Sequence, residues 1–173
     1  AVIPGFENYN QRVREPAGFY LPNAARQQEF RTISGKAHFT LNAVPESKLR
    51  EGEYHMMTIR SHDQFNTTIY GLDDRYRGIY EGRRVVLMNA EDMARAGWKQ
   101  GDWVDLVGVH QGEERVAPNF MVVAYPIPPH CVATYFPEAN VLVPIDAFEP
   151  VSKTPASKKV VIRLEAAAGS VGL

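Results

Sequence analysis

"VLMNAEDMARAGWKQGDWVDLVG", Val86 to Gly108, joins an apolar strand-like run, a short helix, and a turn into a second apolar run. Asn89 stands where it caps the helix, Glu91 and Asp92 favour its positive end, and Gly97 fits the position just past its last turn. A sandwich more often joins its strands by turns alone. A short helix wedged between strands, and followed at once by "GDWV", instead predicts a barrel with helical plugs. Outward from this stretch, short β-type runs recur at 38–44, 53–61, 83–89, 103–109, 116–125, 131–136, 141–145 and 158–165. Several are rich in Val, Ile, Tyr and Phe and are bounded by Gly, Pro, Asn or Asp. The expected class is therefore mainly β, a closed or partly closed barrel with short helices. Residues 1–37 carry Pro4, Gly5, Pro16, Gly18, Pro22 and Gly35 with little periodicity, and read as an extended arm that leans on another surface. The barrel is expected over 38–165, and 166–173 reads as a tail.

At 173 residues and 45% hydrophobic content, the chain suits one domain with an appendage and a substantial core. Its 19 basic and 20 acidic residues nearly cancel, so it has no global pull on nucleic acid or an anionic membrane, and any anion site must be local. No apolar stretch approaches the ~20 residues of a membrane span, and no secretory signal opens the chain. The expected location is the cytoplasm. The one cysteine, Cys131, excludes an internal disulfide, and neither it nor the five histidines have zinc-site spacing, so no metal ligands are assigned. Cys131 reads as a structural thiol. P-loop, GxGxxG, GxSxG and CxxC patterns are absent, which removes the common nucleotide, acyl-transfer and iron–sulfur signatures.

The polar variety of the chain is concentrated in "TIRSHDQFNTTIYGLDDRYRG", Thr58 to Gly78. If 53–59 is a strand, Arg60, Ser61 and His62 lie near its end, where barrel mouths collect ligand-binding groups. Arg60 carries a planar fork suited to phosphate, and Ser61 adds a hydroxyl. Gln64 and Asn66 each offer a donor and an acceptor, the equipment for reading a heterocycle edge. The competing reading is a solvated loop followed by turn chemistry, and the residues alone favour it. His62 and Asp63 are neighbours on extended backbone and so point apart, which disfavours an acid–base dyad. Asp73 and Asp74 lack calcium-loop spacing and read as partners of Arg75 or Arg77, or as turn formers. No catalytic residue emerges.

Four segments together resemble the C-terminal domain of the molybdopterin-dependent oxidoreductases, the dimethyl-sulfoxide-reductase and formate-dehydrogenase superfamily. They are "FRTISGKAHF" (30–39), "MMTIRSHDQFNTTIYG" (56–71), "VLMNAEDMARAGWKQGDWVDLVG" (86–108) and "ANVLVPIDAFEPVSKTPASKKVVIRLE" (139–165). They occur in the family's order, and "RSHDQFNTTIYGLDDRYRG" and "YFPEANVLVP" look most like the formate-dehydrogenase-like branch. The first segment, "IPGFENYNQRVREPAGFYLPN", resembles the link between that branch's catalytic core and this domain.

The resemblance implies a double-psi β-barrel, of the aspartate-decarboxylase-like kind, that closes over a bis(molybdopterin guanine dinucleotide) cofactor. It further implies the last domain of a longer enzyme, whose molybdenum ligand and iron–sulfur cluster belong to other domains. This domain alone is then not catalytic, and its partners are the remaining domains of its own chain. Carried over position by position, the family's cofactor contacts fall on Thr58, Arg60, Ser61, His62, Gln64, Asn66 and Thr67, on Asn140 of its "N-x-L" motif, and on Lys158 or Lys159. Two departures stand out. Ile59 replaces a glycine found in many relatives before the arginine, and Pro129–His130 replaces a common Pro-Gly turn. The rival reading is a protein- or peptide-binding module on the same barrel, since fold alone does not assign function. A self-contained hydrolase or decarboxylase lacks a nucleophile–base set.

Overall fold

The computed structural model describes residues 3–44, 46, 48–66 and 69–168. The chain divides into two compact units, residues 1–46 and 47–173. The first holds α1 (Tyr9–Arg12), a single turn whose preceding residue, Asn8, has a left-handed backbone. Its order comes from aromatic contacts: Phe6 stacks on Tyr9 at 5.3 Å, and the Arg12 guanidinium lies over the Phe19 ring at 4.0 Å. The expected strand at 38–44 does not form. "HFTLNAV" alternates as a strand should, but alternation supplies only a face, and a strand also needs a neighbour to take its backbone hydrogen bonds. Phe39, Leu41 and Val44 accordingly stand fully or almost fully exposed.

The second unit is a closed six-stranded barrel. Along the chain it runs β1 (Glu53–Ile59), β2 (Val85–Met88), α2 (Ala90–Ala96), β3 (Trp103–His110), β4 (Glu113–Ala124), β5 (Cys131–Tyr135), a 3-10 turn (Asn140–Leu142) and β6 (Val160–Ala166). Around the wall the order is β1-β5-β2-β4-β3-β6, closed between β6 and β1. The pairs β1–β5 and β2–β4 are parallel and the others antiparallel. Closure leaves no free sheet edge. The expected strand at 141–145 is the 3-10 turn and a following loop. Pro144 has no N–H to give a ladder, and Ile145 is almost fully exposed.

Two apolar cores flank the wall. Alternate residues of each strand fill the interior, including Met56, Val86, Met88, Leu106, Phe120, Val122, Val132 and Ile162, with Met93 of α2 and Leu142 packed against them. Each such burial is worth roughly 1.5–3 kcal/mol of transfer free energy. The second core lies outside the wall on β2, β4 and β5, where Val85, Leu87, Val123, Ala133 and Tyr135 pack with Ile79 from the long 60–84 connection. This explains why all four residues of β2 are buried: the strand has no solvent face.

The helix α2 forms as its sequence dictates. Asn89 Oδ1 accepts from the N–H groups of Glu91 (2.9 Å) and Asp92 (3.4 Å), its Nδ2 donates to Ile127 O at 2.8 Å, and Gly97 closes the end at φ 79°. Asp92 is buried, and its second oxygen accepts the His130 N–H at 2.5 Å. That bond holds His130 in a left-handed backbone, φ 59°, in the turn that launches β5. The sequence resemblance expected glycine here, and the turn keeps the glycine conformation without the glycine. A side chain in this region costs of order 1 kcal/mol. His130→Gly is therefore expected to stabilise the protein by about 0.5–1 kcal/mol, read as a higher denaturant midpoint with unchanged slope; an equal or lower midpoint would mean that the imidazole compensates for the strain.

Candidate functional site

β1 and β5 run parallel, in a register that sets Thr58 beside Thr134 and Ile59 beside Tyr135, so both strands end at the same rim of the barrel. Thr58, Ile59, Arg60, Phe136, Ser157 and Lys158 line a recess of about 170 Å³ at this rim. Thr58 points its side chain into the barrel, but its carbonyl accepts the Lys158 ammonium. Arg60 is exposed, and its guanidinium has no hydrogen bond or ion pair among the described residues. An anchored ammonium and a free guanidinium thus share one small concavity, a donor set suited to an oxyanion.

Behind the recess lies a buried cation. Arg83 is 3% exposed and distributes its N–H groups over four oxygens. Nε donates to Glu138 Oε1 at 2.8 Å, Nη1 to Ser61 Oγ at 2.7 Å, and Nη2 to Gln64 Oε1 at 2.9 Å and Phe136 O at 3.2 Å. Four of its roughly five donors are satisfied, and the Tyr70 and Tyr135 rings lie 4.1 and 4.6 Å from the guanidinium carbon. Taking the charge out of water costs several kcal/mol, and the Glu138 carboxylate with the three neutral acceptors offsets it. The group ties the segment after β1 to the segment after β5. Gln64 Nε2 adds a second link, donating to Phe136 O at 3.3 Å.

The network continues through Tyr135, whose hydroxyl donates to Asp74 Oδ2 at 2.8 Å. Arg77 Nη1 donates to the same oxygen at 2.5 Å and to Arg60 O at 3.1 Å. Asp74 is thus the partner of Arg77, one of the roles its sequence context predicts. Burial works against the charged form of Asp74, but the Tyr135 hydroxyl and the Arg77 guanidinium outweigh it and hold the carboxyl below its ordinary range. Burial and the Asp74 carboxylate both push the Tyr135 phenol far up. From Arg60 O through Arg77, Asp74 and Tyr135 to Arg83, the polar chain fixes the path of the loop that carries Arg60.

The sequence-assigned positions therefore divide. Thr58, Arg60 and Lys158 meet at the recess. Ser61 and Gln64 lie beside it with their oxygens turned to Arg83, so they shape the rim. His62 is exposed, its ring 3.8 Å from that of Tyr76. Asn66 is exposed at φ 56° in the following turn, and Thr67 lies outside the described residues. Asn140 opens the 3-10 turn with its side chain exposed and its N–H bonded to Pro137 O at 2.9 Å. Lys159 faces a different recess. Arg83, Glu138 and Tyr135 had no assigned role. Their one sequence signal was a pair of arginines directly before the uninterrupted apolar run "VVLM". Among the described residues no group of three or more His, Cys, Asp or Glu side chains is arranged to hold a metal ion.

A small closed β-barrel with cationic groups at one rim defines a class of ligand-holding domains. Residues 54–161 match the model of the molydopterin dinucleotide binding domain, and the chain belongs to that family. It is 50% identical to an uncharacterized oxidoreductase of Mycobacterium tuberculosis and to one of Mycobacterium bovis, and 42% identical to protein YdeP of Escherichia coli. Each match covers 95% of this chain and 22% of the relative, so the chain spans about a fifth of the length of the curated relatives it matches.

Two outcomes test the network. Arg83→Met, which leaves Glu138 buried and unpaired, is expected to cost about 3–5 kcal/mol in chemical denaturation, and Arg83→Lys to recover only part of it, because an ammonium lacks the planar fork. A fully restored midpoint in Arg83→Lys would reduce Arg83 to a point charge. The depressed Asp74 carboxyl contributes stability that is present above the unfolded aspartate value, about 3.9, and is lost as pH falls through the lower folded value. Asp74→Asn should therefore flatten the acid limb of a stability–pH curve below about pH 4; an unchanged limb would remove Asp74 from the account.

Proposed function

We propose that the chain is the C-terminal domain of a formate-dehydrogenase-like molybdenum oxidoreductase, and that it holds a bis(molybdopterin guanine dinucleotide) cofactor from one side. The observation that carries this reading is the convergence of Arg60, Lys158 and the Thr58 carbonyl on one recess at the rim shared by β1 and β5. The fit is partial, as a cradle's should be. About 170 Å³ accepts a phosphate or a ribose, not a whole dinucleotide, so the remainder would lie along the open rim against another domain. Its heterocycles require neutral amides, and Asn66 and Asn140 present theirs to solvent. The double-psi topology belongs to the same reading, as does a cytoplasmic location; among the described residues no helix is long and apolar enough to cross a membrane.

In this arrangement Arg60 binds a phosphate oxygen through its fork, and Lys158, held by Thr58 O, supplies a second positive charge. Arg83 positions the Arg60 segment through Ser61, Gln64 and Phe136 O. The cofactor supplies the molybdenum centre and the redox chemistry, while the domain orients and electrostatically tunes it. The remaining domains of the same longer chain are the proposed partners, and any iron–sulfur cluster resides there. Phe65, Ile69, Leu72, Tyr76 and Tyr80, all more than half exposed within one connection, support a docked neighbour. The same five side chains favour the second reading, a protein-binding barrel without cofactor.

Arg60→Ala in the protein at its natural length separates the two. Losing a charge-assisted bond of about 1.5–3 kcal/mol should weaken cofactor retention at least about tenfold, read as molybdenum per polypeptide by mass spectrometry after gel filtration. Unchanged metal content would remove Arg60 from phosphate binding. Metal absent from wild type and variant alike would favour the interaction module.

A further inference from the structure

Across the 157–160 segment from the Arg60 recess lies a second concavity, of about 210 Å³. Its walls come from Gly108, Val109 and His110 at the end of β3, Arg115 on β4, and Lys159 to Val161 at the start of β6. Leu142, Pro144, Ala147 and Ala156 give it an apolar floor. The register explains the placement of its charge. Arg115 pairs with Gly108 across the β3–β4 hairpin, so the position opposite it carries no side chain. Lys158 and Lys159, adjacent in sequence, line different recesses.

We propose that this recess is a second, separate binding site for a small organic oxyanion, a carboxylate or phosphate head on a short apolar body. Arg115 Nε is shielded from water and has no hydrogen-bond partner among the described residues. A buried donor left unmade costs about 1–3 kcal/mol, which an acceptor in the recess would recover. The Lys159 ammonium likewise has no partner among the described residues. Nearby acids do not neutralise the pair. Asp146 already engages His110 Nε2 at 3.1 Å and Gln111 Nε2 at 2.9 Å, and Glu114, on the opposite face of β4, engages Arg163 at 2.6 Å. A water is a poor substitute, because it needs two to four polar partners and the floor offers apolar carbon. A planar fork, an ammonium and an apolar floor select an anion that brings some carbon with it.

The test titrates the protein at its natural length, by calorimetry, with inorganic phosphate and separately with butyrate. Saturable binding of either probe is expected, and the probe that binds more tightly identifies the head group. Arg115→Gln and Lys159→Gln should each weaken it about tenfold or more, while Lys158→Gln leaves it unchanged. Lys159 is exposed, so its variant keeps the fold even if the Arg115 variant does not. Three results would overturn the proposal: no saturable binding of either probe, binding that survives both Arg115→Gln and Lys159→Gln, or binding that falls equally in Lys158→Gln. The last would make the two recesses one cofactor phosphate site. None of these readouts depends on molybdenum, so failure here is distinguishable from failure of the cofactor reading.

Discussion

The Arg83 guanidinium is the constraint on which the rim of this barrel depends. A charge with 3% exposure is tolerated only because its surroundings are fully organised around it. Glu138 comes from the segment after β5, Ser61 and Gln64 from the segment after β1, and the aromatic walls from Tyr70 and Tyr135. Apart from Tyr135, the last residue of β5, these groups lie outside regular secondary structure, so no backbone ladder specifies their mutual positions. The cation specifies them instead, because every misplacement strands a polar group in the second core. Two buried carboxylate oxygens, Asp74 Oδ1 and Glu138 Oε2, have no hydrogen-bond partner among the described residues beside this network, which marks it as a place where polar satisfaction is near its limit.

This arrangement separates support from contact. Ser61 and Gln64 sit next to Arg60 in sequence and look chemically as useful to a ligand, yet their oxygens are committed to the buried arginine. The guanidinium of Arg60, one residue earlier, has no hydrogen bond or ion pair among the described residues. A binding group works best when its own charge is unspent and its backbone is fixed. Arg60 meets both conditions, the second through the bond that Arg77 makes to its carbonyl.

Sequence carried the barrel further than the site. The six strands were legible because each combines β-branched or aromatic residues with turn signals, and α2 because Asn89 and Gly97 punctuate it. The runs at 38–44 and 141–145 have the same local texture. What they lack is a partner strand, a non-local property that no window of sequence contains. For the site, the cluster at Thr58–Asn66 was visible as polar variety, and Asp74 was correctly suspected as a partner of Arg77. Arg83 and Glu138 were not visible, since a buried charge is recognised only by the tertiary environment that pairs it. Arg115 was missed for a related reason, because its significance lies in the absence of a partner.

His130 shows how far local rules bend when tertiary bonds oppose them. The turn before β5 requires a left-handed backbone, the usual province of glycine, and a histidine occupies it. The buried Asp92 carboxylate accepts the His130 N–H and so fixes the turn from outside, using a residue whose first duty is to the N-terminus of α2. Helix and turn are thereby coupled through one carboxylate. That coupling sets where β5 begins, and β5 carries Tyr135 to the Arg83 network at its other end. The rim that presents Arg60 and Lys158 is thus positioned from both sides of the barrel, by a carboxylate beneath the start of β5 and a guanidinium beyond its end.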